Sequence, residues 1–136
     1  MRILAVDLGL ARTGIAISDE SGFLASPVRT IAEKDLSVLA DKIVDIVAER
    51  QATAIVVGHP RNMDGSCGES AIRAEGFAKT LKEKTGLPVT LWDERMTTVS
   101  AIGYLNQTDT RGKKRKAVVD TVAATIILQN YLDSLS

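Results

Sequence analysis

The 136-residue chain has one cysteine, Cys67, and one histidine, His59. A single cysteine excludes an intramolecular disulfide and leaves no CxxC spacing for zinc, which fits a reducing compartment. With so little imidazole and thiol available, neither a nucleophile–histidine triad nor a zinc centre is expected. Net charge is also missing: 17 basic side chains balance 17 acidic ones, so any surface for a polyanion must come from local clustering. No apolar run reaches the ~18 residues of a membrane span. The opening residues 1–7 have one arginine and a short apolar run ending in aspartate, unlike a signal peptide. Repeats, low-complexity tracts and Pro/Ser-rich linkers are absent. The expectation is a cytoplasmic protein forming one domain over residues 1–136.

What is present is a change of period along the chain. Residues 3–6 form a branched apolar run closed by Asp7, Gly9 and Gly14, and the apolar character resumes at Ile15 to Ile17. Two strands joined by a glycine turn are predicted, with a third over residues 23–31 placed at an edge because Pro27 cannot donate to a ladder. After Asp35, a candidate N-cap, Leu36, Leu39, Ile43, Ile46 and Val47 recur at helical spacing. Residues 54–57 read as a buried strand. A second helix carries Ile72, Phe77, Ala78 and Leu81 and ends at Gly86 and Pro88. Residues 89–92 read as another buried strand, followed by Asp93 and Glu94. A short helix over residues 98–105, a basic segment over 111–116 and a last helix with Val119, Val122, Ala123, Ile126, Ile127 and Leu132 on its apolar side complete the reading. Three consecutive strands imply antiparallel pairing, and the later alternation implies parallel strands with right-handed crossovers. The fold class is α/β: a mixed five-stranded sheet, three antiparallel strands then parallel strands, flanked by helices.

Chemistry is signalled by acids in unusual places. Asp7 tips a buried apolar run, where a charged carboxylate is costly without a cation or strong donors; the plainer alternative is an aspartate bonding the glycine turn. Asp93 and Glu94 repeat the arrangement after a later strand, although a salt bridge to Arg95 would also explain them. Asp120, read as lying near the start of the last helix, could simply favour the helix dipole. Taken together, separated acids from two strands and a helix suit Mg²⁺, which prefers hard oxygen ligands and phosphate oxygens. Such ions can activate water and stabilise a leaving oxygen without a protein nucleophile. Arg111, Lys113, Lys114, Arg115 and Lys116 crowd five cations into six positions, either a solvated linker or a phosphate-binding segment. The loop from Gly58 to Ser66 offers Arg61, Asn62 and Ser66 to phosphate or to a base, or is an ordinary turn at Asp64-Gly65. Trp92 is read as core rather than as a stacking platform, and His59 as too isolated for a catalytic base.

Four ordered blocks, AVDLGLARTGIAISD at 5–19, VVGHPRNMDGSCG at 56–68, LPVTLWDERMTTVSA at 87–101 and KAVVDTVAATIIL at 116–128, resemble the YqgF family, also called RuvX. Its members are RNase H-fold nucleases described as Holliday junction resolvases and as pre-16S rRNA nucleases. The resemblance implies an RNase H-like domain with Asp7, Glu94 and Asp120 as the catalytic, metal-holding acids and Mg²⁺, or Mn²⁺, as cofactor. Asp93 is adjacent, but strand alternation sets it on the other side. Nucleic-acid contacts are assigned to Arg12, Arg61, Asn62, Lys113, Lys114 and Lys116. Ala11, Thr13 and His59 depart from the family's common residues, and Ala11 removes one basic contact from the first turn. The implied activity is phosphodiester hydrolysis in 5′-end processing of the 16S rRNA precursor, by a monomer or homodimer acting on structured RNA rather than branched DNA. Three other readings are a Holliday junction resolvase, a non-catalytic RNA-binding protein, and an ATP-binding module of the actin and sugar-kinase type. The last needs two lobes, and the chain has length for one.

Overall fold

The computed structural model describes residues 1–60, 64, 68–94 and 112–135, with the side chains of 112–121 outside the description. Element order is β1 (Ile3–Leu8), β2 (Thr13–Ser18), β3 (Ala25–Ile31), α1 (Leu36–Arg50), β4 (Ala54–His59), α2 (Glu69–Thr85), β5 (Val89–Asp93) and α3 (Gly112–Ser134). The strands form one sheet in the order β3-β2-β1-β4-β5. β1, β2 and β3 pair antiparallel, whereas β4 pairs parallel with both β1 and β5. This is the mixed five-stranded sheet expected from the order of elements. The expected short helix over 98–105 lies outside the described residues.

Strand alternation divides the core in two. Leu4, Val6, Ile15, Ile55 and Val57 face α1 and α2, packing with Leu39, Ile43, Ile46, Ala74, Phe77 and Leu81. Ile3, Ala5, Ala16 and Val56 face the other way and pack with Ala124, Ile127, Leu128 and Leu132 of α3. Both sheet faces are thus covered, and the central strands β1 and β4 are apolar on each side, as double coverage demands. Asp35 caps α1 as predicted, its carboxylate accepting from the Ser37 and Val38 amides, and Gln51 ends the helix in the left-handed region at φ 57°. Pro27 sits on β3, an edge strand, beside an irregularity in its register with β2.

The structure departs from the sequence expectations at several points. Ile72 is exposed on α2, whose core face is made by Ala71, Ala74, Phe77, Ala78 and Leu81. β5 is an edge strand, so Thr90 and Leu91 are exposed rather than buried. Phe23 and Leu24 precede β3 and are exposed. In α3 the buried face is Ala124, Ile127, Leu128 and Leu132, while Val122, Ala123 and Ile126 are only partly covered. Lys113 to Lys116 do not form a segment ahead of α3: the helix, Gly112–Ser134, includes them, because Lys and Arg are good helix formers and nothing up to Val119 interrupts them. Asp120 therefore sits eight residues into the helix, beyond the reach of the N-terminal dipole.

Candidate active site

The site grows from the level at which β1 and β4 end. Ala5 and Val6 pair with Val56 and Val57, which brings Asp7 level with Gly58, and Gly58 in turn pairs with Trp92 of β5. Asp7, Gly58 and Trp92 share the face covered by α3. Glu94 follows β5 by one residue. Its backbone lies two strands from β1, a separation of roughly 10 Å at the usual strand spacing, yet its side chain hydrogen-bonds Asp7. The span is closed across Gly58, where a Cβ would stand 2.8 Å from Glu94 Cδ and 3.0 Å from both Glu94 Cγ and Ile127 Cδ1. Any side chain at 58 would occupy the path that Glu94 takes.

Burial pushes the Glu94 carboxyl up to about 9, helped by the negative charge of Asp7, by the hydrogen bond to Asp7 and by the charge of Asp93. Near neutral pH the pair therefore holds one proton, with Glu94 donating to the Asp7 carboxylate. A divalent cation can take the place of that proton, and two closely held carboxylates are the hard oxygen donors Mg²⁺ prefers. Among the described residues these acids form no set of three. Asp120 is in α3, four and seven residues before Ala124 and Ile127, the helical spacing of the stripe that packs on this face of the sheet.

The remaining predicted residues scatter. Arg12 ends the turn after β1 and lines a groove of about 630 Å³ with Ala11, Ala32, Glu33 and Lys34. Lys113, Lys114 and Lys116 lie in the first two turns of α3. Arg61 and Asn62 fall outside the described residues. Asp93 pairs in register with His59, at positions that alternate with Gly58 and Trp92. His59 itself stands on the α1–α2 face, its Nε2 3.4 Å from Glu75 Oε1 with no hydrogen bond among the described residues, and so lies across the sheet from the acids. Trp92 is half-buried, edge-to-face with Tyr131 at 5.7 Å, packed against the smaller core rather than presented for stacking.

Two contributors escaped the sequence reading. Gly58 reads from the sequence as the start of the loop over 58–66, since its role depends on a residue 36 positions later. Arg73 of α2 donates from Nη1 to the Gly9 carbonyl at 2.9 Å, tying the turn after β1 to a helix on the opposite face. A lone arginine at an intermediate position of an amphipathic helix carries no local signal of such a bond.

A family model described as "RuvX: Holliday junction resolvase" matches residues 1–134. The chain belongs to the RuvX family. It is a nuclease, a hydrolase of phosphodiester bonds, with an RNase H-like fold. RuvX relatives include a protein of Lachnospira eligens, 45% identical over 137 residues and covering 98% of each chain, and one of Bacillus subtilis, 44% identical and covering both chains in full. Both carry the name "Putative pre-16S rRNA nuclease". Among solved structures, Thermus thermophilus RuvC in complex with Holliday junction substrate aligns at TM-score 0.64 with 12% identity, covering 100% of this chain and 97% of that one. Fowlpox virus resolvase with Holliday junction DNA aligns at TM-score 0.60 with 12% identity, covering 99% of each. At such identities the likeness is one of fold.

Proposed function

We propose that this RuvX chain is a magnesium-dependent nuclease that trims the 5′ end of the 16S rRNA precursor in the cytoplasm, with Asp7, Glu94 and Asp120 holding the metal. The observation that carries the reading is the Asp7–Glu94 pair, two carboxyl groups brought into hydrogen-bond contact from separate strands at a cost that only a proton or a cation offsets. Bound there, Mg²⁺, or Mn²⁺ in its place, supplies an activated water and stabilises the oxygen that leaves. The chain's own residues do the rest. Asp7 and Glu94 fix the position of the charge, Gly58 leaves the passage through which Glu94 reaches it, and α3 covers the face and brings Asp120. Arg12, Arg61, Asn62, Lys113, Lys114 and Lys116 take the phosphates of the strand, an electrostatic role that positions the backbone without reading sequence.

Structured RNA is favoured by the names of the full-length relatives. A second reading, cleavage of branched DNA by a homodimer, is favoured by the family description. Purified protein should be given a precursor-like RNA hairpin and a four-way DNA junction with Mg²⁺, while its solution mass is measured. Site-specific cutting of the RNA by wild type and none by Asp7→Asn supports the first reading. Paired symmetric cuts confined to the junction, by a dimer, would replace it with the second.

A further inference from the structure

We infer that Arg73 is a positioning residue of the metal site, acting through the turn after β1 from the far side of the sheet; the inference rests on the metal-dependent reading above. The turn is tight: a Cβ at Gly9 would lie 2.1 Å from the Arg12 carbonyl oxygen, so only glycine lets the backbone at Arg12 come this close to residue 9. Asp7 stands two residues before Gly9 and Arg12 three after it, which makes this short segment the carrier of one metal-holding carboxylate and one phosphate contact. Its open side is held by Arg73, whose guanidinium is half-buried and donates to the Gly9 carbonyl at 2.9 Å.

The anchor beneath Arg73 is rigid. Its neighbour Ala74, with Phe77 and Ala78 one turn on, is buried in the larger core, so the guanidinium has a fixed base from which to hold the carbonyl. On its other side Arg73 borders a cavity of about 470 Å³ between α1 and α2, lined also by Leu36, Ser37, Gly76, Phe77 and Thr80. A Cβ at Gly76 would meet nothing within 4 Å. Among the described residues the hydrogen bond made by the Arg73 guanidinium is the one to the turn.

The experiment compares Mg²⁺ affinity by calorimetry, together with cleavage of the RNA hairpin, in wild type, Arg73→Met, Arg73→Lys and Arg73→Met/Gly76→Ala. Met keeps length without the donor, Lys restores one donor, and Ala at 76 stabilises α2 without touching the turn. Arg73→Met should bind Mg²⁺ about tenfold more weakly, the usual cost of removing an outer support of a metal site, and Arg73→Lys should regain much of the loss. The double variant should recover melting temperature while its Mg²⁺ affinity stays low. Recovery of affinity along with melting temperature would make Arg73 a structural tie and overturn the proposal. So would an Arg73→Met variant that binds Mg²⁺ as wild type does. Wild-type protein that binds no Mg²⁺ would overturn the metal reading itself, and this inference with it.

Discussion

Gly58 and Glu94 fit one another as gap and filler: the carboxyl carbon of Glu94 lies 2.8 Å from where a Cβ on Gly58 would stand. The glycine is on β4, between β1, which carries Asp7, and β5, which Glu94 follows, and it is the absence of a side chain there that lets the two acids meet. Gly58→Ala should therefore leave the fold standing, because the groups it displaces are side-chain atoms of Glu94 and the terminal methyl of Ile127 rather than backbone, and should weaken Mg²⁺ binding. A melting curve with a metal titration checks both halves. Undiminished Mg²⁺ affinity would mean that Glu94 does not need this passage.

The raised Glu94 carboxyl makes a signed prediction about stability. Its value in the folded protein is about 9 against an ordinary 4.5, so between those limits the folded state keeps a proton that the unfolded state has released. Metal-free stability should then fall as pH rises through that window, with a slope of at most ~1.4 kcal/mol per pH unit. Glu94→Gln should remove this slope and be the more stable protein at pH 8 in EDTA, whereas Mg²⁺ should stabilise wild type and not the variant. Urea unfolding at several pH values measures it, and parallel slopes for the two proteins would contradict it.

Asp7 and Glu94 stood out because a carboxylate at the end of an apolar run is expensive wherever the run goes, and the Asp35 cap and the central strands followed from local period and turn chemistry. Ile72 and the face of α3 were misread because period alone does not say which side of a helix the sheet will cover. The apolar run of β5 predicts a buried strand, but strand order, and hence which strand is an edge, is set by distant pairings. Gly58 and Arg73 were invisible for the same reason: each acts on a residue remote in sequence.

Asp7→Asn and Asp120→Asn keep side-chain size while weakening hard-metal binding. Each should abolish cleavage with the far-ultraviolet spectrum and melting temperature close to those of wild type. A pure variant that cut RNA at the wild-type rate would remove that residue from the set of ligands.

Because α3 spans Gly112–Ser134, Lys113 to Lys116 occupy successive helical positions. Lys113 and Lys116 precede Asp120 by seven and four residues, the spacing of one helical stripe, while Lys114 and Arg115 belong to other faces. Lys113→Gln/Lys116→Gln should lower affinity for the RNA hairpin and reduce the logarithmic salt slope by up to about one unit per lost contact. Lys114→Gln/Arg115→Gln removes the same charge and should do less. Equal losses in the two double variants would assign the run to a diffuse field rather than to a track leading to the acids.

The central claim, that Asp7 and Glu94 exchange a shared proton for a metal ion, is tested most directly by counting protons during Mg²⁺ binding. Calorimetric titrations at pH 7.5 in buffers of different ionisation enthalpy give that number. The account predicts release of about one proton per bound ion in wild type, and no such release together with weakened binding in Glu94→Gln. Binding of Mg²⁺ to wild type without proton release, or equally tight binding by Glu94→Gln, would contradict it.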